Sequence, residues 1–584
     1  SCFVNLPVRE RDPGTIMNLT DNVLKNTGYD EYSLLSLSSN DYQNIESLAS
    51  CLNKIHGRTG ASISLPSQRA DAFSLELANI VQSVRKSTLT FAPEAGSQRL
   101  RDAINKNLNE EQIINAVLAS YKAGWNSIKL YFMIGLPTET WEDLDEIVNL
   151  LKKIKSKSSE IKMELNIKKH LDLICTMSIF VPKTFTPFQW FGQNSLQLID
   201  EKIKYLRQSV KSLKGVKLNF HDSFLSQIEA VFARGDKKLN KLIENVYKRG
   251  SYLDAWTEHF NKEIWFEAAK DVGIDFEYYA TRQIDLDENL PWDYINTGVD
   301  KKWLKEEYNR ALMNKTSVPC DDDCSNCGVC NSFKCNPEIK SNIPAKIQDY
   351  LTEQTKQTNT KSYKYRLKIN KTGHLKYISH LDWHRMLYRA FRKADLQLCF
   401  TQGFNPSPKI AISLALPLFI ESNEEYINIE IKENLEESAL MKKLNRVLPE
   451  NSRILKIVKI SKEDQSIDIS AKWAKYSALP VDYEAVKNID LKCIVDQFIS
   501  RDNIIVEKQS YKGLKKEIDI KPLIWSLKVK DPEGKEKFSK LEFTLSVAAG
   551  SSLRADEFLK YLIPDIKFKI IREKILDGNF KEFV

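Results

Sequence analysis

The sequence has no uninterrupted apolar stretch long enough to cross a bilayer. Its longest apolar run, IAISLALPLFI (410–420), contains Pro417 and falls short of the ~20 residues that a spanning helix needs. No charged start followed by an apolar stretch marks a signal peptide. A cytoplasmic protein with no membrane partner is therefore expected. No internal repeat is visible. Cysteine is sparse, with 10 in 584 residues, and residues 1–319 contain no CxxxCxxC. Cys2, Cys51, Cys175, Cys399 and Cys493 stand singly. The other five, Cys320, Cys324, Cys327, Cys330 and Cys335, fall within one short segment, which in a reducing compartment argues for metal rather than disulfides.

What is present is globular: 42% hydrophobic and 28% charged residues, in a chain long enough for two to four domains. The net charge of +8 is mild but uneven. Residues 361–413 hold eleven Lys and Arg against Asp382 and Asp395, so this stretch alone matches the whole excess.

Residues 12–190 alternate between strand-like runs and amphipathic helices. YSLLSL (32–37), ASISLP (61–66), TLTFAP (88–93), SIKLYFMIG (127–135) and LICTMSIFVP (173–182) read as strands. Asn109 with Gln112 caps one helix, which Gly124 ends. A second helix starts near Thr138 and closes on Lys152 and Lys153, an order of charge that suits the helix dipole. Such alternation predicts an α/β fold with parallel strands, wound as a barrel or doubly wound. Residues 191–316 read mostly helical. Residues 341–362 are polar and read as a linker. Residues 363–584 mix alternating strands such as EYINIEI (425–431) with helices, as an α+β domain.

The motifs PVRERD (7–12), LLSLSSNDY (34–42), SISLPSQRAD (62–71), TFAPEAGSQRLRDAINK (90–106), MIGLPTETWED (133–143) and IFVPKTFTPFQW (179–190) resemble, in order, the radical SAM superfamily, most closely its cobalamin-binding-domain branch. The resemblance continues through FHDSFLSQIEAVFARGD (220–236), SHLD (379–382) and QGFNPSPK (402–409) into a radical-SAM-linked domain of unknown function. It implies a partial (β/α) barrel over 1–215, a helical cysteine-bearing extension over 216–340 and a separate domain over 363–584. It also implies S-adenosylmethionine (SAM), a 4Fe–4S cluster held by a CxxxCxxC loop, and an electron donor. In the similar proteins that loop lies just before PVRER. The chain is therefore expected to begin inside the domain, without the first strand, the loop or any upstream cobalamin domain, and as given to be inactive for SAM cleavage. The alternative is a true start with a degenerate core.

The resemblance places candidate SAM contacts at the strand ends. Ser38, Ser39 and Asp41 stand where the amino-acid end of SAM is held, and Glu94 and Ser97 where ribose contacts fall. Arg69, Arg99 and Arg101 are candidates for a carboxylate clamp. Gly135 and Pro137 shape the turn near adenine, with Phe180 and Val181 on the last strand. Taken singly, AGS, GLPT and Arg99 also fit ordinary strand-to-helix turns.

In PCDDDCSNCGVCNSFKC the C-x2-C-x2-C run resembles half of a bacterial ferredoxin repeat. An auxiliary 4Fe–4S cluster is expected, with a four-thiolate Zn site as the alternative. In the basic stretch, Ser379 and Asp382 open a helix whose stripe is Trp383, Leu387, Ala390, Phe391 and Ala394. Arg385, Arg389, Arg392 and Lys393 then face outward, either as a solvated face or as an RNA surface on which Tyr365 and Tyr377 stack bases. His380 and His384 lie one turn apart but lack the acidic residue of the zinc-protease pattern. The expectation is a protein that modifies RNA or an RNA-linked substrate. The alternatives are a non-catalytic Fe–S RNA-binding protein and a partner-docking protein.

Overall fold

The structure is a computed structural model. It describes residues 6–36, 38–65, 69–71, 73–82, 89–318, 320, 323–340, 361–402, 406–461, 464, 467–482, 486–487, 489–509, 515–532 and 539–584. Most of the expected linker thus lies outside the described residues. The chain divides into two compact units. The first holds residues 1–17, 31–58 and 62–353; the second holds 18–30, 59–61 and 354–584.

In the first unit every paired strand is parallel. β1 (Glu31–Ser33) pairs with β2 (Ser62–Ser64). β3 (Leu89–Glu94), β4 (Ser127–Ile134), β5 (Asp172–Ile179) and β6 (Val216–Phe220) follow one another across a second sheet. Consecutive strands lying side by side, with helices between, make a partial (β/α) barrel. On β4, Ile128, Leu130, Phe132 and Ile134 are fully buried. Each buried side chain of this kind contributes ~1.5–3 kcal/mol. α1 (Pro13–Thr27) precedes β1, and the intervening helices are α2 (Ile45–His56), α3 (Leu75–Gln82), α4 (Gln98–Ala103), α5 (Glu110–Lys122), α6 (Trp141–Glu164) and α7 (Leu196–Val210). The Asn109–Gln112 capping box on α5 forms as expected. α6 runs well beyond Lys153, because Ile154, Ser158 and Ile161 prolong its buried stripe. β6 corrects the helical reading of 191–316: VKLNF alternates and pairs with β5. After it come α8 (Ser223–Arg234), α9 (Leu239–Lys248), α10 (Lys262–Val272), α11 (Phe276–Thr281), α12 (Lys301–Leu312) and α13 (Val329–Phe333), the helical extension that carries the cysteines.

The second unit is a separate α+β domain built on a nine-stranded sheet. Its strands are β7 (Tyr363–Lys371), β8 (Ile410–Ile412), β9 (Glu421–Ile431), β10 (Ile454–Ile460), β11 (Trp473–Pro480), β14 (Ile524–Lys530), β15 (Lys540–Ala548), β16 (Ser551–Ser552) and β17 (Phe568–Leu576). A side hairpin adds β12 (Ile505–Gln509) and β13 (Lys515–Asp519). The order of elements contains a repeat that the sequence did not show. β7, helix His380–Lys393, β8, β9, helix Glu437–Asn445 and β10 form one β-α-β-β-α-β series. β11, helix Leu491–Ile499, β14, β15, helix Ala555–Leu562 and β17 form a second. In both, the fourth strand pairs with the first, the first with the third and the third with the second, as in the split βαβ motif. β9 joins β17 in parallel. Near that joint, buried Arg572 donates to Glu425 from Nε at 2.9 Å.

Candidate active site

Because all strands of the barrel run one way, their C-terminal ends gather at one rim, the usual ligand site of parallel α/β folds. There a cavity of about 480 Å3 opens over β4 and β5. Its apolar lining includes Met133, Ile179, Phe180 and Phe188, the last two edge to face at 5.9 Å. The polar lining comes from distant segments: Asn105 after α4, Ser178 on β5, His221 just past β6, Glu229 on α8, Glu307 on α12, and Lys315. Lys183, also in the lining, forms an ion pair with Glu229. A brace shapes one wall. Asn105, in the left-handed region at φ 55°, donates from Nδ2 to Ser317 Oγ at 2.8 Å and accepts from Ser317 N at 3.0 Å. Ser317 Oγ in turn donates to buried Glu307 at 2.9 Å.

The predicted SAM contacts fall into groups. After β1, Ser39 donates to Leu34 O at 3.1 Å. Buried Ser38 Oγ has no hydrogen-bond partner among the described residues. Arg69 lies 3.7 Å from Asp41 and forks onto Asp71 at 3.1 and 2.6 Å. At the end of β3, Glu94 sits at φ 68°, a strained backbone for a non-glycine residue, with Lys106 3.5 Å away. Burial raises its carboxyl above the ordinary value. Gly135, at φ 75°, donates its N–H to Glu139 at 2.8 Å, and Lys202 reaches the same oxygen at 2.6 Å. Phe180 lines the cavity.

Three candidates are instead tied into the scaffold. Ser97 caps α4 and donates to Asp143 at 2.5 Å. Arg99 pairs with Asp143 and donates to Thr138 O at 3.0 Å. Burial works to raise the Asp143 carboxyl, but hydrogen bonds from Ser97 and Thr140 and the Arg99 charge outweigh it and hold it below its ordinary value. Arg101 is buried and donates to the carbonyls of Ala95, Gly96 and Leu108. These side chains bind the strand-to-helix turns together, so the carboxylate-clamp expectation does not hold for Arg99 or Arg101.

The cysteine segment is anchored at both ends. Ser317 fixes its start. Beyond it, Glu338 bridges Arg9, with Glu10 N donating to Glu338 O at 2.7 Å and Glu338 N to Val8 O at 2.9 Å. The segment therefore ends against PVRE. Cys327 is buried beside Trp303 and Tyr308, and its carbonyl accepts from Asp300 N at 2.8 Å. Gly328 turns at φ 92°, and a Cβ there would stand 3.1 Å from Gly298 O. The Cys330 thiol is raised above its ordinary value, first by burial and then by Cys335, Cys320, Cys327 and Cys324, so the four other sulfurs all lie within electrostatic reach of it. The crowding opposes ionisation in the bare chain, and a bound metal centre reverses that balance. Among the described residues no three His, Cys, Asp or Glu converge closely enough for one ion. Cys175, by contrast, lies inside β5, where burial pushes its thiol up to about 12.

Comparison with known proteins matches both units of the chain. Residues 3–151 match the model of the radical SAM superfamily. That match lies in the N-terminal part of the chain. Residues 364–555 match a family described as an uncharacterized protein conserved in bacteria (DUF2344). A curated relative, the uncharacterized protein MJ0966 of Methanocaldococcus jannaschii, is 32% identical over 272 residues, covering 44% of this chain and 56% of that protein. The match thus spans little more than half the relative's length. An Elp3 structure from Methanocaldococcus infernus with an N-terminal deletion is 13% identical, covering 37% of this chain and 57% of that one, at a TM-score of 0.25. An unknown protein from Galdieria sulphuraria is 9% identical, covering 36% and 98%, at a TM-score of 0.12. Scores this low carry no argument.

Of the chamber, sequence reasoning named only Phe180 and Val181 and missed the polar lining. His221 had a signal, as the residue after the alternating run VKLNF. In the DUF2344 unit the basic helix forms as expected, with Ser379 accepting from Asp382 N at 3.1 Å. Its cations are mostly engaged. Arg385 pairs with Asp382 at 3.0 Å, Arg389 lies 3.9 Å over the Tyr29 ring, and Arg392 donates to Thr59 O. Lys393 is exposed. Tyr377 is exposed and packs edge-on to Phe419. Tyr365 corrects the stacking expectation: it is fully buried with Leu367 and Ile369, and its hydroxyl donates to Leu435 O at 2.8 Å. No helix is long and apolar enough to cross a membrane among the described residues.

Proposed function

We propose that this chain belongs to a radical SAM enzyme that modifies RNA or an RNA-linked substrate in the cytoplasm, with the strand-end cavity as its substrate chamber. The observation that carries this reading is the chamber itself: about 480 Å3, lined by both apolar and polar side chains, at the C-terminal ends of β4 and β5. Ser38, Ser39 and Asp41 are the residues to hold the amino-acid end of SAM. The Ser38 hydroxyl, without a hydrogen-bond partner among the described residues, fits that role, since a buried hydroxyl without a hydrogen bond is costly unless a ligand supplies one. SAM with a 4Fe–4S cluster supplies radical chemistry in this superfamily. Phe180 and Phe188 shield the chamber floor from water, while His221 and Lys315 orient polar groups of the substrate. Cys320, Cys324, Cys327, Cys330 and Cys335 hold an auxiliary Fe–S cluster in this reading.

The chain as given is expected to bind SAM without cleaving it, because residues 1–319 contain no CxxxCxxC. The test is anaerobic reconstitution with iron, sulfide, SAM and a reductant. SAM binding that weakens in Ser38→Ala, with no 5′-deoxyadenosine formed, supports the reading. Release of 5′-deoxyadenosine would place the radical cluster on Cys320, Cys324 and Cys327, which themselves stand at x3 and x2 spacing. A chain that binds no SAM supports the alternative, a non-catalytic Fe–S protein that binds RNA or docks a partner.

A further inference from the structure

In the DUF2344 unit all four helices of the two repeats pack on one face of the sheet. Helix His380–Lys393 covers Tyr365, Leu367 and Ile369 of β7, and helices Leu491–Ile499 and Ala555–Leu562 cover Ala474, Tyr476 and Ala478 of β11. Successive strand residues point to opposite faces, so Trp473, Lys475 and Ser477 stand on the other side. There the second repeat carries an aromatic trio. Trp473 stacks on Phe580 at 5.6 Å and 15°, Trp525 lies 4.6 Å from Phe580, and the two tryptophans are 5.6 Å apart. Trp525 is 62% exposed, a large apolar surface left in water.

The surroundings of the trio are polar and basic. Lys475 stands in register with Lys574 on one side and Thr544 on the other, and Ser526 follows. One row on, Ser477, Glu542 and Lys528 align. Glu542 serves both Lys475, at 3.4 Å, and Lys530, at 3.9 Å, Glu582 pairs with Lys574, Glu573 accepts from Ser477, and Lys528 adds a further cation to these rows. A protein-binding patch is typically poor in lysine at its centre, whereas single-stranded nucleic acid needs flat rings for bases and cations for phosphates. The split βαβ sheet with aromatic rings on its helix-free face is also the arrangement by which RRM domains hold RNA.

We propose that this face of the second repeat binds single-stranded nucleic acid, with bases stacked on Trp473, Trp525 and Phe580 and phosphates near Lys475 and Lys528. The choice of ligand rests on the RNA reading above, but its place differs: the basic helix has spent most of its cations within the unit and has no ring cluster among the described residues, whereas this face sets exposed Trp525 and its two neighbouring rings beside lysines held by ion pairs to Glu542 and Glu582.

The test is titration of the full chain with a single-stranded RNA 12-mer and with an RNA duplex at two salt concentrations, read by tryptophan fluorescence and anisotropy. Trp525→Ala and Phe580→Ala are each expected to weaken single-strand binding about tenfold while leaving thermal unfolding nearly unchanged. Lys475→Gln should flatten the salt dependence by about one charge. Binding that is unchanged in both aromatic variants but lost in Arg385→Ala/Lys393→Ala would overturn the platform and leave the RNA reading standing. A wild-type chain that binds neither RNA at low salt would overturn both, and a protein partner that is lost with Trp525→Ala would reassign the face.

Discussion

The rim of the barrel and the basic helix both gather polar side chains, yet they leave them in different states. At the strand ends, Ser38 Oγ is buried without a hydrogen-bond partner among the described residues, and Glu94 is held in a strained backbone with Lys106 3.5 Å away. On the helix, Arg385, Arg389 and Arg392 each have a carboxylate, a ring or a carbonyl to meet. A folded chain satisfies its own polar groups wherever it can, so groups left unsatisfied in a well-packed scaffold point outward to a ligand. Charge density alone does not, because Arg and Lys find intrachain partners readily.

The contrast can be broken from the rim side first. Lys202 and Glu139 are buried together under the β4 turn, and removing the cation strands the carboxylate. Lys202→Met should destabilise the first unit by ~3–5 kcal/mol in urea unfolding, and Glu139→Gln added to it should recover part of the loss. Next, Gly328→Ala places a side chain in the left-handed region against the Gly298 carbonyl. It should cost ~1–2 kcal/mol, seen as faster hydrogen exchange through residues 323–335. On the helix side, Arg389→Ala should cost about 1 kcal/mol by losing its place over Tyr29. Lys393→Ala should stay within about 0.5 kcal/mol. If the two variants behaved alike, the helix would be a free cationic surface after all.

The smallest effect is a pH dependence. Burial raises the Glu94 carboxyl, so the native state keeps its proton at a pH where the unfolded chain has lost it. The stability it contributes is full below the unfolded value of about 4.3 and is lost as pH rises through the folded value. Melting temperatures of wild type and Glu94→Gln should therefore diverge between pH 4 and 7, with wild type falling relative to the variant.

Much of this contrast was legible in the sequence. β3, β4 and β5 were readable because buried parallel strands are apolar runs bounded by turn residues, and Asn109 and Ser379 announced their helices by the caps they form. The alternation YKYRLKI already set Tyr365 on the same face as Leu367 and Ile369, so its burial was readable too. The polar lining of the chamber was not, because Asn105, Ser178, His221, Glu307 and Lys315 come from segments far apart in the chain and meet only when the strands align. The repeat was hidden by unequal parts: β8 has three residues where β14 has seven, and the β12–β13 hairpin interrupts only the second copy.

The most direct test of the central proposal, that Cys320, Cys324, Cys327, Cys330 and Cys335 hold an auxiliary Fe–S cluster, is metal analysis with Mössbauer spectroscopy on anaerobically purified chain. The account predicts a brown protein with about four iron per chain as one 4Fe–4S cluster, and none after Cys324, Cys327 and Cys330 are changed together to Ser. A colourless protein carrying one zinc, or iron that survives the triple substitution, would contradict it.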